Sequence, residues 1–108
     1  MAAIEITTFR LMKGHSIEEF IAANADIDIW LKRQPGFRLR RIAVQDDGTI
    51  VDSLLWDSTA QAEESMHRLM DEMRDSPVHG MIDQRTVSWG VSSVMPCHPP
   101  RLSGTAGR

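Results

Sequence analysis

Cysteine is almost missing from this chain: Cys97 is the only one in 108 residues. No intrachain disulfide can form, and nothing in the thiol content points to an oxidising compartment. Long apolar runs are lacking too, so no stretch reads as a membrane span. The opening residues, MAAIEITTFR, turn at once into an alternating pattern, without the basic segment, apolar block and cleavage site of a secretory signal. A cytoplasmic protein is expected. Basic charge is not in surplus, since 12 Lys and Arg stand against 15 Asp and Glu, a net charge of −3. A nucleic-acid partner needs a concentrated basic surface and is not expected, and neither is a membrane partner. The local cluster Lys32, Arg33, Arg38, Arg40 and Arg41 reads as solvated or paired structural charge. Glycine-rich phosphate loops, nucleophile elbows, dinucleotide fingerprints and metal-ligand spacings are also missing. Neither a cofactor nor a metal is therefore expected.

What remains is ordinary: 42% hydrophobic and 25% charged residues, enough for one domain with one modest core. A deep pocket is hard to enclose at this size, which points to a partner subunit completing the structure.

Residues 4–11, IEITTFRL, alternate loosely and carry β-branched and aromatic types, the pattern of a strand. Ser16 stands three before Glu19, the capping-box spacing, and Ile17, Phe20, Ile21, Ile27 and Leu31 follow at helical spacing with Asn24 and Asp28 interleaved. One helix is expected from there to about residue 33, ended by Pro35. FRLRRIAV and IVDSLLW read as strands joined at Asp47-Gly48, a favoured pair for a two-residue turn. That register sets Val44 opposite Val51 and Leu39 opposite Trp56, and brings Arg41 within reach of an ion pair with Asp52. Ser58 and Gln61 repeat the capping spacing before a second helix carrying Ala62, Met66, Leu69, Met70 and Met73, ended by Pro77. RTVSWGVSSV, residues 85–94, is the last strand, and residues 95–108 have the proline and glycine content of a tail.

Strand, helix, strand, strand, helix, strand is the order of the ferredoxin-like βαββαβ plan, an α+β fold over residues 1–94. Right-handed crossovers put both helices on one face of a four-stranded antiparallel sheet. Apolar residues nevertheless fall on both alternating sets, with Ile42, Val44, Val51 and Leu55 opposite the Trp56 set. A second copy of the chain is the simplest cover for that other face, so a homodimer through the sheet is expected.

With this order in place, QPGF between first helix and second strand, LLWDSTAQAEESM joining third strand and second helix, and SPVHGMID before the last strand resemble the dimeric α+β barrel superfamily. Within it the chain is most similar to antibiotic-biosynthesis-monooxygenase-like domains, over residues 4–94. The superfamily holds cofactor-free monooxygenases, haem-degrading enzymes, isomerases, cyclases and ligand-sensing modules, so the resemblance specifies fold better than reaction. The haem-degrading branch fits poorly: Met73 and Asp83 stand where it carries a tryptophan and a haem-ligating histidine, and IEITTF lacks its asparagine.

Each candidate site residue has a structural and a functional reading. Trp56, at a strand's carboxyl end, either closes the core or walls a pocket. Met66, Met70 and Met73 form a helical stripe that fills core gaps or lines a pocket for a small apolar or aromatic ligand. Among the histidines, His67 flanks that stripe and His79 lies in a glycine-containing turn, so these two are the candidate bases. His15 reads as solvated, Trp30 as a helix-face anchor, Trp89 as one of a regular strand set, and the Cys97-His98 pair is too isolated for metal or nucleophile chemistry. Two functions follow. One is a cofactor-free monooxygenase acting on a small aromatic or polyketide-like molecule, whose anion reduces oxygen itself once a base has formed it in a dry pocket. The alternative is a non-enzymatic ligand-binding or structural dimer, which an entirely apolar cavity would favour.

Overall fold

A computed structural model describes residues 1–96, so most of the expected tail, with Cys97 and His98, lies outside the described residues. Four strands, β1 (Ala3–Leu11), β2 (Phe37–Val44), β3 (Ile50–Trp56) and β4 (Ile82–Ser93), form one antiparallel sheet in the order β2-β3-β1-β4. The helices are α1 (Ile17–Ala23), α2 (Ala25–Leu31), α3 (Thr59–Glu72) and the single turn α4 (Val78–Met81). This is the expected ferredoxin-like order.

Alternation decides which side of each strand is buried. Ala3, Glu5 and Phe9 on β1, and Ile50, Asp52, Leu54 and Trp56 on β3, point to the helices and are buried. Phe9 meets Phe20 of α1 edge to face, with centroids 5.3 Å apart, and Trp56 meets Phe37 in the same way at 5.5 Å. Trp30 is buried in this core rather than on the open face, and its indole N–H donates to Glu72 at the end of α3.

The first helix is two helices. The capping box forms, with the Glu19 N–H donating to Ser16 Oγ and the Ser16 N–H to Glu19 Oε1. At Asn24, however, the backbone leaves helical geometry (φ −78°, ψ 1°), and the side-chain amide donates to the Phe20 carbonyl at 2.8 Å. A short polar side chain competes with the backbone ladder in this way and bends it.

The hairpin also departs from expectation. Gln45 N–H donates to Thr49 O and Gly48 N–H to Gln45 O, leaving a three-residue loop with Gly48 at φ +88°. A turn followed by one left-handed glycine replaces the two-residue form, and the register moves by one: Val44 pairs with Ile50, Ile42 with Asp52 and Leu39 with Leu55. Such a slip turns the β2 side chains over from Leu39 to Val44, while a further irregularity between Phe37 and Leu39 keeps Phe37 on the Trp56 side. Ile42 and Val44 pass to the helix side, Leu39, Arg41 and Ala43 pass to the other, and the ion pair with Asp52 is made by Arg40, not Arg41.

Candidate active site

Between the helix-facing side of the sheet and the helices lies a cavity of about 280 Å³. Phe9, Phe20, Leu31, Leu54 and Leu69 supply apolar wall, while Met70 and Trp89, both partly exposed, stand where it meets solvent. The lining from β4 depends on a register shift opposite Phe9, where the strand takes up extra residues, and Gln84 and Val87 border the cavity there. Bulges of this kind re-aim side chains at sheet edges.

Two polar groups are set into the apolar wall. Glu5 is 8% exposed and held between two tryptophans: Trp56 Nε1–H donates to Oε1 at 2.9 Å and Trp89 Nε1–H to Oε2 at 2.7 Å. Burial raises its pKa above the ordinary carboxylate range; the two indole donors and the more distant charge of Arg40 offset this only in part, and the nearby charge of Asp52 adds to it. Arg40 forms the second group. Its Nε–H and one Nη–H grip Asp52 in a fork at 3.0 and 2.7 Å, the same Nη reaches Asn24 Oδ1 at 2.9 Å, and the other reaches Asp28 at 2.8 Å. Burial works against the guanidinium charge, but the hydrogen bonds and charges of Asp52 and Asp28 prevail and hold its pKa above the ordinary value. Arg40 thereby ties β2 and β3 to the bend at Asn24.

The candidate residues separate. Met66, Met70 and His79 line the cavity. Trp56 is buried behind it, 1% exposed, holding Glu5 without bordering the space. Met73 packs on the core outside the lining, and His67 is exposed on α3. His79 Nε2 lies 2.9 Å from the Met73 carbonyl. A carbonyl only accepts, so Nε2 donates there, and in the neutral ring Nδ1 is the nitrogen that carries the lone pair. Among the described residues no three His, Cys, Asp or Glu side chains are grouped so as to hold a metal ion.

Sequence reading passed over Glu5, Asn24, Arg40, Asp52 and Gln84 as site residues. For two of them a signal was present. Glu5 alternates with Ala3, Thr7 and Phe9, and Asn24 falls in the spacing Phe20, Asn24, Ile27, Leu31, so each puts a polar group on a buried stripe.

Sheet order, broken first crossover and cavity can be compared with solved structures. SnoaB, a cofactor-independent oxygenase from Streptomyces nogalater, superposes with a TM-score of 0.71 at 15% identity, over 92% of this chain and 98% of that one. A monooxygenase from the gene ActVA-Orf6 of Streptomyces coelicolor, in complex with nanaomycin D, gives 0.62 at 15% identity over 93% of each chain. Rv0793 from Mycobacterium tuberculosis gives 0.67 at 14% identity, over 92% of this chain and 100% of that one. The chain has the fold of the antibiotic-biosynthesis-monooxygenase-like dimeric α+β barrel proteins. No family model and no curated protein matches the sequence itself. At identities of 14–15% the likeness is one of fold.

Proposed function

We propose that this chain is a cofactor-free monooxygenase for a small aromatic or polyketide-like molecule, with His79 as the base. The observation that supports it is the cavity's mixed lining: apolar walls with His79, Glu5 and the Arg40–Asp52 pair set into them. The Arg40–Asp52 pair also ties the fold together, but an indifferent apolar binder gains nothing from setting Glu5 and His79 into the wall, because burying a polar group has a cost.

In this reading Nδ1 of His79 takes a proton from an activated ring methylene. The resulting electron-rich anion passes its electrons to dioxygen and forms a carbon–oxygen bond as a hydroperoxide. The His79 proton completes the hydroperoxide; the neutral imidazole then removes the second C–H proton as the O–O bond breaks, the departing hydroxide takes that proton as water, and a ring carbonyl is left, so CH₂ plus O₂ becomes C=O plus H₂O. The apolar wall keeps bulk water away from the anion. Two protomers, meeting through the sheet faces turned away from the helices, form the working unit.

Oxygen uptake with an anthrone tests the assignment. His79→Ala is expected to lower the rate at least about 100-fold, the usual scale for loss of a general base. His67→Ala, on the exposed side of α3, is expected to leave it within twofold. Equal rates in wild type and His79→Ala would remove His79 from the mechanism, and no uptake by the wild type across a set of anthrones would favour the ligand-binding alternative.

A further inference from the structure

Among the described residues, Glu5 is the buried carboxylate of the cavity lining that has no ion-pair partner. Asp52 has the Arg40 fork, but among the described residues no basic side chain pairs with Glu5. Its partners are two neutral indoles, one on each oxygen. Indole donors on both oxygens favour the ionised form against the opposing effect of burial, and in that form the carboxylate offers about four acceptor positions and no donor. Two remain beyond the indole bonds, on a side chain that borders the cavity. The indoles also fix its direction: Trp56 is locked in the core from β3, and Trp89 approaches from β4. The carboxylate therefore cannot swing away from an ill-matched ligand.

A fixed, acceptor-only group beside an apolar space discriminates in two ways. A ligand that brings a hydroxyl donor satisfies it, while one that brings only hydrocarbon leaves it under-hydrogen-bonded once water is displaced. A ligand that brings its own carboxylate sets two like charges side by side in a medium that screens them poorly.

We propose that Glu5 sets ligand choice in this cavity, accepting neutral aromatic molecules that present a ring hydroxyl and turning away aromatic carboxylates. The inference rests on the cavity being the place where the substrate of the proposed oxygenase binds, and it deepens that reading by naming the group the substrate must carry. Glu5 acts here as a specificity-determining residue in contact with the ligand, while Trp56 acts through it as a positioning residue.

Isothermal titration calorimetry of the full chain at pH 7 with 1-naphthol, naphthalene and 1-naphthoate tests this without oxidation. 1-Naphthol is expected to bind at least about tenfold more tightly than either other probe, the scale of one hydrogen bond to a charged group. Comparable affinities for naphthol and naphthalene, a preference for naphthoate, or no binding of any probe would each overturn the proposal. Glu5→Gln, which keeps the shape and adds a donor, is expected to reduce the naphthol preference below about threefold and to admit naphthoate. A folded Glu5→Gln protein that retained the wild-type order would also overturn it. If that variant does not fold, the three wild-type affinities decide alone. A clear naphthol preference in a protein that consumes no oxygen with any anthrone would sustain the role of Glu5 and reject the oxygenase.

Discussion

Arg40 and Asp52 meet diagonally across β2 and β3 with side chains only 11% exposed, so neither charge has water to fall back on. Removing one partner from a buried pair costs about 3–5 kcal/mol, whereas an exposed arginine changes stability by about 0.5 kcal/mol or less. Asp52→Ala is accordingly expected to lose several kcal/mol in urea denaturation and Arg41→Ala almost nothing. The opposite ranking would mean that the hairpin adopts the two-residue turn. Glu5 leads to a pH test. Burial raises its folded pKa, so below the unfolded carboxyl value, about 4.3, it contributes nothing, because both states are protonated. As the pH climbs from there through the raised folded value, the native state must hold a charge it disfavours, and stability is lost. Glu19 and Asp47 run the other way: hydrogen bonds from Ser16 and Thr49 lower their pKa values, so their stabilisation is present above the carboxylate range and lost on acidification. Subtracting the Glu5→Gln curve from the wild type between pH 4 and 8 cancels those opposing groups. The difference is expected to fall with rising pH and then level off; a flat or rising difference would show that the indoles outweigh burial.

At the scale of elements, the joints carry the specificity. Gly36 (φ +82°) and Gly14 (φ +90°) both occupy the left-handed region, which costs roughly 1–2 kcal/mol for a residue with a Cβ. Around Gly14 an added Cβ meets open space, but at Gly36 it would collide with the side chain of Gln61 in the first turn of α3. Gly36 also accepts a hydrogen bond from the Asp57 N–H at 2.8 Å, tying the start of β2 to the end of β3. Gly36→Ala is expected to lower the melting temperature clearly more than Gly14→Ala, and equal losses would mean that Gln61 swings aside freely. The helix caps were legible beforehand because their logic spans three residues. The bend at Asn24 was not, because it depends on Arg40 arriving from β2 to take Oδ1 while the amide holds Phe20 O. α4 escaped notice for a related reason: its four residues hold no period of their own, and the turn is closed by neighbours, with Met81 O accepting from Met12 N–H and Ser76 from Val78 N–H.

At the scale of the whole molecule, the sheet face turned away from the helices leaves apolar side chains uncovered in the single chain. Ile4, Leu55 and Leu39 form a row across three strands there, with Ile6 and Leu39 about 40% and 37% exposed in the single chain. Native mass spectrometry is expected to give a dimer. Leu55→Arg, which puts a charge into the middle of that row, is expected to give a folded monomer with an unchanged circular dichroism spectrum. A wild-type monomer at micromolar concentration would mean that the row tolerates water and that the proposed working unit is a single chain. No helix among the described residues is long and apolar enough to cross a membrane.

Local rules were enough to determine the order of the four strands and the two helical crossovers, the two capped helix starts and hence the ferredoxin-like plan, because each is written within a few neighbouring residues. That Met66, Met70 and His79 share one cavity while Trp56, Met73 and His67 do not line it was decided by tertiary packing. Helical spacing fixes which side of a helix a residue occupies, but not how far that side stands off the sheet. The register was decided there as well. Asp47-Gly48 permits both a two- and a three-residue loop, and the alternatives differ locally by little. The three-residue loop buries Ile42 in part and lets Arg40 reach Asp52, Asn24 and Asp28 together. Those partners lie 12 to 16 residues away along the chain, where no local pattern can point to them.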